Sequence, residues 1–331
     1  MRLVAGVFQI KLPFPNNISG FTNTYVIEGE KGNILIDSGW DWPGALWAFR
    51  EGLRMDSLKF QDINWIVITH IHPDHYGLTD KLRSLCGAKV AMHRTEAGQI
   101  ESRYKSSDTL IHELAGVLGK NGVPKEEVVE MQNASLWMNK FVSPCYPEII
   151  LDEGDRISNG SLEFEVMHTP GHSAGHICLY EPQKRWLFSG DHVLFQTLPH
   201  VGLNPQAGDN PLGDYFDSLH VLEKLKIGFV FPGHGPVFNS LKLRTGEILY
   251  LHNQKRIEIM KVLNEGLKTA YQVAMDIPWN KKTIKTEFRD LSVRDRRLAI
   301  LQTMAHLKLL ISEGEVGKIV QNGIYLYLSK N

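Results

Sequence analysis

The chain has 331 residues, of which 43% are hydrophobic and 22% are charged, and its formal net charge at pH 7 is -1. This composition excludes a disordered or fibrous protein, and the length suits one large domain with an appendage, or two domains. The near-neutral total hides an asymmetry, because residues 245–331 carry 14 Lys and Arg against 9 Asp and Glu. We therefore expect a basic C-terminal region on an acidic body.

The cysteines and the N-terminus bear on the cellular compartment. Cys86, Cys145 and Cys178 are too few and too scattered for a disulfide framework, which indicates free thiols. The first residues lack the charged and apolar regions of a signal peptide, and no apolar run is long enough to span a membrane. We expect a cytoplasmic protein that does not associate with membranes.

Strand and helix signals alternate along most of the first 243 residues. Apolar β-branched runs bounded by turn residues predict strands, and an Asn159-Gly160 turn is expected to join two of them. This alternation is typical of an α/β layered domain. The predicted strands span 7–10, 23–27, 33–37, 65–68, 89–93, 148–151, 156–158, 161–166, 177–180, 186–188 and 227–231, and the predicted helices span 45–53, 78–85 and 215–225.

Residues from about 95 to 146 interrupt this alternation with predicted helix. Pro124 opens a helix in which Met131, Trp137 and Met138 recur at roughly helical spacing. One interpretation is a helical insertion that packs on the body of the domain. The other is a lid whose Met and Trp side chains form an apolar wall over the site.

Helices dominate beyond residue 243, and the chain ends in a hairpin. We therefore predict a catalytic domain at 1–243 and a C-terminal domain at 244–331, whose three helices and hairpin suggest a winged helix. The predicted elements are helices 247–264, 270–275 and 294–313 and hairpin strands 316–320 and 324–328.

The most informative stretch follows the predicted strand at 65–68. Side chains alternate along an extended backbone, so three potential ligands are expected on one side, and a turn at Pro73 brings a fourth to the same place. The four are His70, His72, Asp74 and His75. Neutral imidazoles clustered with a carboxylate are what metal coordination requires.

Three of the four ligand-bearing segments share one form, an apolar strand followed by a Gly-containing loop with His or Asp. The further segments contribute His172, Asp191 and His234. Seven ligands are too many for one tetrahedral ion and suit two ions that share a bridge. Asp191 is the natural bridge, because a carboxylate has two oxygens and an imidazole has one free lone pair.

The four segments resemble the signature segments of the metallo-β-lactamase-fold hydrolase superfamily, and they occur in the family's order. They are His70-Ile71-His72-Pro73-Asp74-His75, Thr169-Pro170-Gly171-His172, Ser189-Gly190-Asp191 and Pro232-Gly233-His234. The resemblance covers about residues 1–240. It implies an αββα sandwich with a dinuclear metal centre on one edge.

The resemblance also implies how the ligands divide between two metals. One ion would be held by His70, His72 and His172, and the other by Asp74, His75 and His234. Asp191 would lie between them, and Asp74 would also position the nucleophile or pass protons, which makes these two aspartates the expected catalytic residues. Asp37 is either a turn residue or a carboxylate that supports a ligand.

Within the superfamily, Asp191 stands where antibiotic-degrading members often have Cys, which argues against β-lactamase activity. The pattern is closer to the glyoxalase II and ribonuclease branches. The C-terminal region and the loop from His192 to Pro205 are similar to a subgroup with a winged-helix extension that includes a mitochondrial endoribonuclease. His168 and His176 are interpreted as structural, because the ligand count is already full.

These observations predict a metal-dependent hydrolase in which a metal-bridging hydroxide cleaves an ester, thioester or similar bond of a small molecule. Zinc is the expected metal, with iron and manganese as alternatives. One alternative function is an endoribonuclease that holds single-stranded RNA with its basic C-terminal domain. In another, that domain is structural or forms a homodimer.

Overall fold

In the part of the chain that the structure describes, the fold consists of two large β-sheets, two separate hairpins and surrounding helices. The computed structural model describes residues 2–15, 20–281 and 284–330. The strands are β1 Arg2–Val4, β2 Val7–Pro13, β3 Phe21–Ile27, β4 Asn33–Ile36, β5 Ile63–Ile68, β6 Lys89–His93, β7 Ile149–Leu151, β8 Arg156–Ser158, β9 Glu163–His168, β10 Ile177–Glu181, β11 Trp186–Gly190, β12 Phe229–Pro232, β13 Trp279–Lys281, β14 Ile284–Thr286, β15 Val316–Gln321 and β16 Ile324–Ser329. The helices are α1 Pro43–Met55, α2 Pro73–Tyr76, α3 Thr79–Cys86, α4 Arg94–Ile100, α5 Ser107–Lys120, α6 Lys125–Asn139, α7 Pro211–Leu222, α8 Leu241–Leu263, α9 Ala270–Asp276 and α10 Val293–Ser312.

The two large sheets pack face to face around the central core. One sheet has seven strands in the order β1 to β7, and the other has five in the order β12-β11-β10-β9-β8. Alternate residues of each strand point inward, so Tyr25 and Ile36 of the first sheet share one buried cluster with Phe188 and Phe231 of the second. The Tyr25 ring meets those two Phe rings edge-on, at centroid distances of 5.3 and 5.7 Å.

Helices cover the outer face of each sheet. The apolar stripe of α1 buries Ala45, Phe49 and Leu53 in the cluster that covers the first sheet. On the other side, α7 buries Tyr215 and Leu219 in the cluster over the second sheet. The order of layers is therefore helix, sheet, sheet, helix, which is the predicted αββα arrangement.

The helical segment between β6 and β7 shares its core with the C-terminal region. Leu118 of α5 and Met131 of α6 belong to the same buried cluster as Ile259 of α8, Ile300 of α10 and Tyr327 of β16. Helix α10 also contributes to the cluster over the second sheet. The insertion, the C-terminal helices and the sandwich are therefore joined by continuous apolar packing.

Most predicted elements are confirmed within a few residues, but some local features differ. A four-residue loop replaces the expected Asn-Gly turn after β8, because the Asn159 side chain is buried and donates to the Glu28 carbonyl at 2.9 Å. The Asn159 oxygen also accepts from the Leu162 amide at 2.9 Å. The hairpin of β13 and β14 was not predicted, since its strands have three residues each and no Asn-Gly or Asp-Gly turn signal separates them in the sequence.

The longest helix, α8, has 23 residues but carries charged side chains along its length. In the described ranges of the chain, no helix combines the length and apolar content that crossing a lipid bilayer requires.

Candidate metal centre

Strand direction brings the predicted ligands to one edge of the sandwich. β4 runs parallel to β5, and β11 runs parallel to β12. β9 and β11 both pair antiparallel with β10, so they also share one direction. The loops that carry the ligands follow the carboxyl ends of β5, β9, β11 and β12, which is where sites of layered α/β proteins form.

The first motif combines extended chain with a single helical turn. His70 and His72 precede α2 in the segment after β5, and Pro73 occupies the first helical position, where its missing N–H costs nothing. Asp74 and His75 lie on that turn. The change of backbone direction at Pro73 explains how four nearly consecutive residues reach one place.

All seven predicted ligands are brought together in three overlapping groups. Within each group the potential ligand atoms lie within 4.8 Å of one another. The groups are His70, His72 and His172; His70, His75 and Asp191; and Asp74, His75 and His234.

The carboxylate of Asp191 lies between two pairs of facing imidazoles. In the first pair, His72 Nδ1 is 2.9 Å from His172 Nε2, and in the second, His75 Nε2 is 3.2 Å from His234 Nε2. One Asp191 oxygen, Oδ2, is 3.7 Å from His172 Nε2 and 3.3 Å from His234 Nε2. A single carboxylate therefore reaches both pairs.

Four of the five imidazoles are held by a hydrogen bond at their other nitrogen. Such contacts fix the tautomer and the ring orientation of a metal ligand. The pairs are His70 Nδ1 and Thr69 Oγ1 at 3.0 Å, His75 Nδ1 and Asp37 Oδ2 at 2.7 Å, His172 Nδ1 and the His200 carbonyl at 2.7 Å, and His234 Nδ1 and the Phe21 carbonyl at 2.9 Å.

Asp37 supports two of the predicted ligands from behind. Its carboxylate accepts from the Thr69 amide at 2.8 Å and the Thr69 hydroxyl at 2.9 Å, and it contacts His75 directly. The Thr69 hydroxyl in turn meets His70. Asp37 is 1% exposed and has a φ of 61°, a strained conformation that persists where many contacts enforce it. These contacts favour the supporting role over a simple turn.

Glu96 is a structural residue of the centre that sequence reasoning missed. It is fully buried at the start of α4, and its two oxygens accept from the Ile71 amide at 2.7 Å and the Gly175 amide at 2.6 Å. Burial raises the pKa of its carboxyl group. Because those amides lie in the loops of the first and second motifs, Glu96 fixes the position of one loop relative to the other. No local pattern in the sequence signals this role.

His200 links a predicted ligand to the C-terminal region. Its carbonyl contacts His172 Nδ1, and its own Nε2 is 3.0 Å from the Leu298 carbonyl in α10. Nothing in the local sequence indicates this contact, because it joins distant segments. The orientation of His172 therefore depends in part on where α10 lies.

His168 and His176, both interpreted as structural, make internal hydrogen bonds. The ring of His168 is 3.0 Å from the Ala174 carbonyl. His176 is fully buried, and its Nε2 accepts from the backbone amide of Asp191 at 3.2 Å. His176 therefore positions the backbone that carries the predicted bridging carboxylate.

The histidines of the centre fall into two electrostatic classes. Burial lowers the pKa of His70 and His72 well below the ordinary value, so both rings are neutral, as metal binding requires. Burial also acts on His75 and His234, but Asp191 and neighbouring carboxylates outweigh it. They raise the pKa of His75 well above the ordinary value and that of His234 to about 10.

The raised pKa values of His75 and His234 predict that metal binding releases protons. In the metal-free protein the raised pKa values of His75 and His234 favour protonated rings at neutral pH, but their Nε2 atoms lie 3.2 Å apart and cannot both hold a hydrogen between them, so we expect metal binding to release at least one proton. Because His234 stays protonated until the pH approaches its raised pKa, the apparent metal affinity should increase from about pH 7 to pH 9. Calorimetric titration with zinc in two buffers of different ionisation enthalpy measures this release. An affinity independent of pH over that range would contradict it.

The cluster fits divalent metal ions. His70 Nε2 and Asp191 Oδ1 are buried, and neither has a hydrogen-bond partner in the described part of the chain, as expected of atoms that coordinate a cation. A Cβ at Gly233 would lie 2.5 Å from Asp191 Oδ1 and 2.6 Å from His75 Cε1, so glycine keeps this approach open. Imidazole nitrogens with carboxylate oxygens suit borderline transition metals.

A cleft of about 750 Å³ opens onto the ligand cluster. Its apolar walls come from α5, α6 and α10, and they include Leu110, Ile111, Leu114, Met138, Leu298 and Leu301. Of the residues that suggested a lid, Met138 lines the cleft, whereas Met131 packs in the core and Trp137 packs on Phe141 at 5.0 Å. The insertion therefore supplies a wall, chiefly through α5.

Known proteins share both the sequence pattern and the architecture. A probable metallo-hydrolase of Bacillus subtilis, YqjP, is 26% identical over 312 residues, which cover 93% of this chain and 92% of that protein. The human acyl-coenzyme A thioesterase MBLAC2 is 27% identical over 248 residues, which cover 72% of this chain and 81% of that protein. A crystal structure of a metallo-beta-lactamase family protein from Thermus thermophilus matches with a TM-score of 0.84 at 26% identity, covering 99% of this chain and 100% of that one.

The family signature extends over the segments that form the centre. Residues 18–234, which are more than half of the chain and end at the last predicted ligand, match the sequence profile of the metallo-beta-lactamase superfamily. The chain therefore belongs to the metallo-beta-lactamase superfamily and is a metal-dependent hydrolase.

Proposed function

We propose that the chain hydrolyses a thioester or ester bond of a small acyl substrate. The observation that carries this proposal is the cleft on the ligand cluster, whose apolar walls suit an acyl chain. Its volume of about 750 Å³ falls in the range of small-molecule sites. The activity named for the human relative, an acyl-coenzyme A thioesterase, supports the same substrate class.

The proposed centre holds two divalent ions. His70, His72 and His172 would hold one, Asp74, His75 and His234 would hold the other, and Asp191 would lie between them. The position of the Asp191 carboxylate between the two imidazole pairs supports this division. Zinc is the expected metal, with iron and manganese as alternatives. Bound ions would supply Lewis acidity toward the acyl oxygen and lower the pKa of water toward neutrality.

In the proposed reaction the oxygen of water joins the acyl carbon, the bond from carbon to sulfur or oxygen breaks, and the leaving group departs with a proton. We assign Asp74 the handling of the proton that water loses. Burial alone would raise the pKa of Asp74, but in the metal-free chain the protonated His75 and His234 outweigh it and lower the pKa, so the carboxylate is ionised. Bound metal ions would supply the positive charge in place of those two rings. Asp74 also lines the cleft, as this role requires.

The contacts of the C-terminal region support a small-molecule substrate over RNA. Arg256 pairs with Glu313 at 2.8 Å, and Arg296 pairs with Glu127 at 2.7 Å, so part of the basic charge is compensated within the chain. Helix α10 meanwhile lines the cleft. We therefore propose that this region completes the substrate site.

Several finer assignments stay predictions. They are the domain division at 1–243 and 244–331, the winged-helix character of the second part, the relation to the glyoxalase II and ribonuclease branches, RNA cleavage and a homodimer.

A substrate panel tests the proposed function. Protein loaded separately with zinc, iron and manganese is assayed on an acyl thioester, an aryl ester, a lactone, a phosphodiester and single-stranded RNA. We expect turnover of the thioester or ester, loss of that turnover with a chelator and its recovery when metal is restored. Faster cleavage of the phosphodiester or the RNA than of the thioester and ester would contradict the proposal.

A further inference from the structure

Three arginines from two distant segments line the same cleft as the metal ligands. Arg103 lies just after α4, and Arg294 and Arg297 lie near the start of α10. We call these three residues the arginine patch. The apolar wall of the cleft comes from α5, α6 and α10, so cationic and apolar surfaces face one volume.

Neutral oxygens accept hydrogen bonds from two members of the arginine patch. Arg103 donates from Nη1 to the Gln206 side-chain oxygen at 2.8 Å, and Arg297 donates from Nη1 to the Met131 carbonyl at 3.2 Å. Among the residues that the structure describes, no ion pair involves Arg103 or Arg294. Arg296, which lies between Arg294 and Arg297 in the sequence, differs because it pairs with Glu127 of α6.

Arg294 and Arg103 each repel the guanidinium group of Arg297. Arg297 is 6% exposed, and burial, together with Arg294 and Arg103, lowers its pKa to about 10. Arg297 is therefore still charged at neutral pH. The positive end of the α10 dipole lies at the same turn and adds to the potential. An anion in the cleft would relieve this repulsion, and guanidinium groups bind phosphate and carboxylate with particular strength.

We propose that the arginine patch binds a phosphate or carboxylate carried by the leaving group of the substrate. The acyl chain would lie against Leu110, Leu114 and Leu301 of the apolar wall. This inference rests on the proposed thioester or ester hydrolysis and adds a substrate class to it, namely amphipathic esters of an anionic thiol or alcohol. Arg103 and Arg294 then determine specificity and do not take part in bond cleavage.

Two thioesters with the same acyl group test the inference. One is the thioester of coenzyme A, which carries phosphates, and the other is the thioester of N-acetylcysteamine, which carries no charge. In Arg294→Met and Arg103→Met we expect KM for the anionic thioester to rise roughly ten-fold or more, because each loses a charge-assisted hydrogen bond. In both variants, kcat for the anionic thioester should change little, and so should kcat and KM for the neutral thioester.

The matched control is Arg289→Met. Arg289 is exposed, pairs with Glu287 and does not line the cleft. Its replacement should leave KM for both thioesters unchanged. Equal KM changes for the two thioesters in the Arg294 and Arg103 variants, or no change for either, would overturn the inference while the proposed hydrolysis stands.

A binding measurement separates failure of the inference from failure of the proposed function. Coenzyme A, glutathione and N-acetylcysteamine are thiols with phosphate, with carboxylate and with neither, and calorimetry compares their affinities in the wild type and Arg294→Met. Tighter binding of an anionic thiol, lost in the variant, supports the inference even if no thioester is hydrolysed, and shows which anion is preferred. Equal affinities for all three thiols would overturn it.

Discussion

The hydrolytic rate of an Asp191→Ala variant is expected to fall by at least about 100-fold, and the variant should bind much less metal. Asp191 is the carboxylate that reaches both imidazole pairs, so its removal weakens both halves of the proposed centre. It also takes away the negative charge that raises the pKa of His75 and His234, which makes the metal-free histidines less basic. Elemental analysis of metal content and turnover of the best substrate in the panel measure the two effects.

The control for this variant is Asp217→Ala. Asp217 lies on the exposed side of α7, and its replacement should leave metal content and rate unchanged. Circular dichroism of both variants reports whether the fold is retained. An Asp191→Ala protein with the metal content and rate of the wild type would refute the assignment of Asp191 as bridge.

Replacing Asp37 with Asn is expected to lower metal affinity by about 10- to 100-fold, although Asp37 is not itself a predicted ligand. The amide oxygen can still accept from the Thr69 amide, but an amide nitrogen facing His75 Nδ1 cannot accept its proton. The His75 tautomer with hydrogen on Nδ1, which leaves Nε2 free to coordinate a metal, then loses the hydrogen bond that stabilises it. Asparagine is chosen because it tolerates the positive φ of 61° at this position.

Competition with a chromogenic chelator measures this affinity, and Asp217→Asn provides a matched control. An Asp37→Ala variant should in addition be less stable, because it leaves the buried Thr69 amide without its acceptor, at a cost of about 1–3 kcal/mol in folding free energy. Unchanged affinity in Asp37→Asn would mean that the backbone alone orients His75.

The parts of the molecule that sequence predicted well depend on local patterns. Each buried strand is an apolar run, and each ligand follows such a run within a few residues, so the strand at Ile63–Ile68 and His70 could be placed together. The seven ligands also meet in space for a reason that the sequence contains, because the segments that carry them have the same strand-then-loop form. Asp37 could be placed at a strand end, but its contact with His75 follows only from the fold.

The parts that sequence missed depend on contacts between distant segments. Glu96 holds two loops through backbone amides, and a backbone amide has no residue-specific signature. The His200 ring is hydrogen-bonded to the Leu298 carbonyl of α10. Leu110 of α5 and Leu298 of α10 line one cleft, which exists only after α5 and α10 have packed. Helical periodicity indicates which face of α5 or α10 is apolar, but it does not identify the surface that the face meets.

The shared core of the insertion and the C-terminal helices has a practical consequence for engineering. Because Leu118 and Met131 pack with Ile259, Ile300 and Tyr327, neither segment is an interchangeable module. Grafting only one of them from a relative would pair an apolar surface with a partner it did not evolve beside. Chimeras that aim to transfer substrate preference should therefore exchange both segments as a unit and leave the sandwich with its ligands in place.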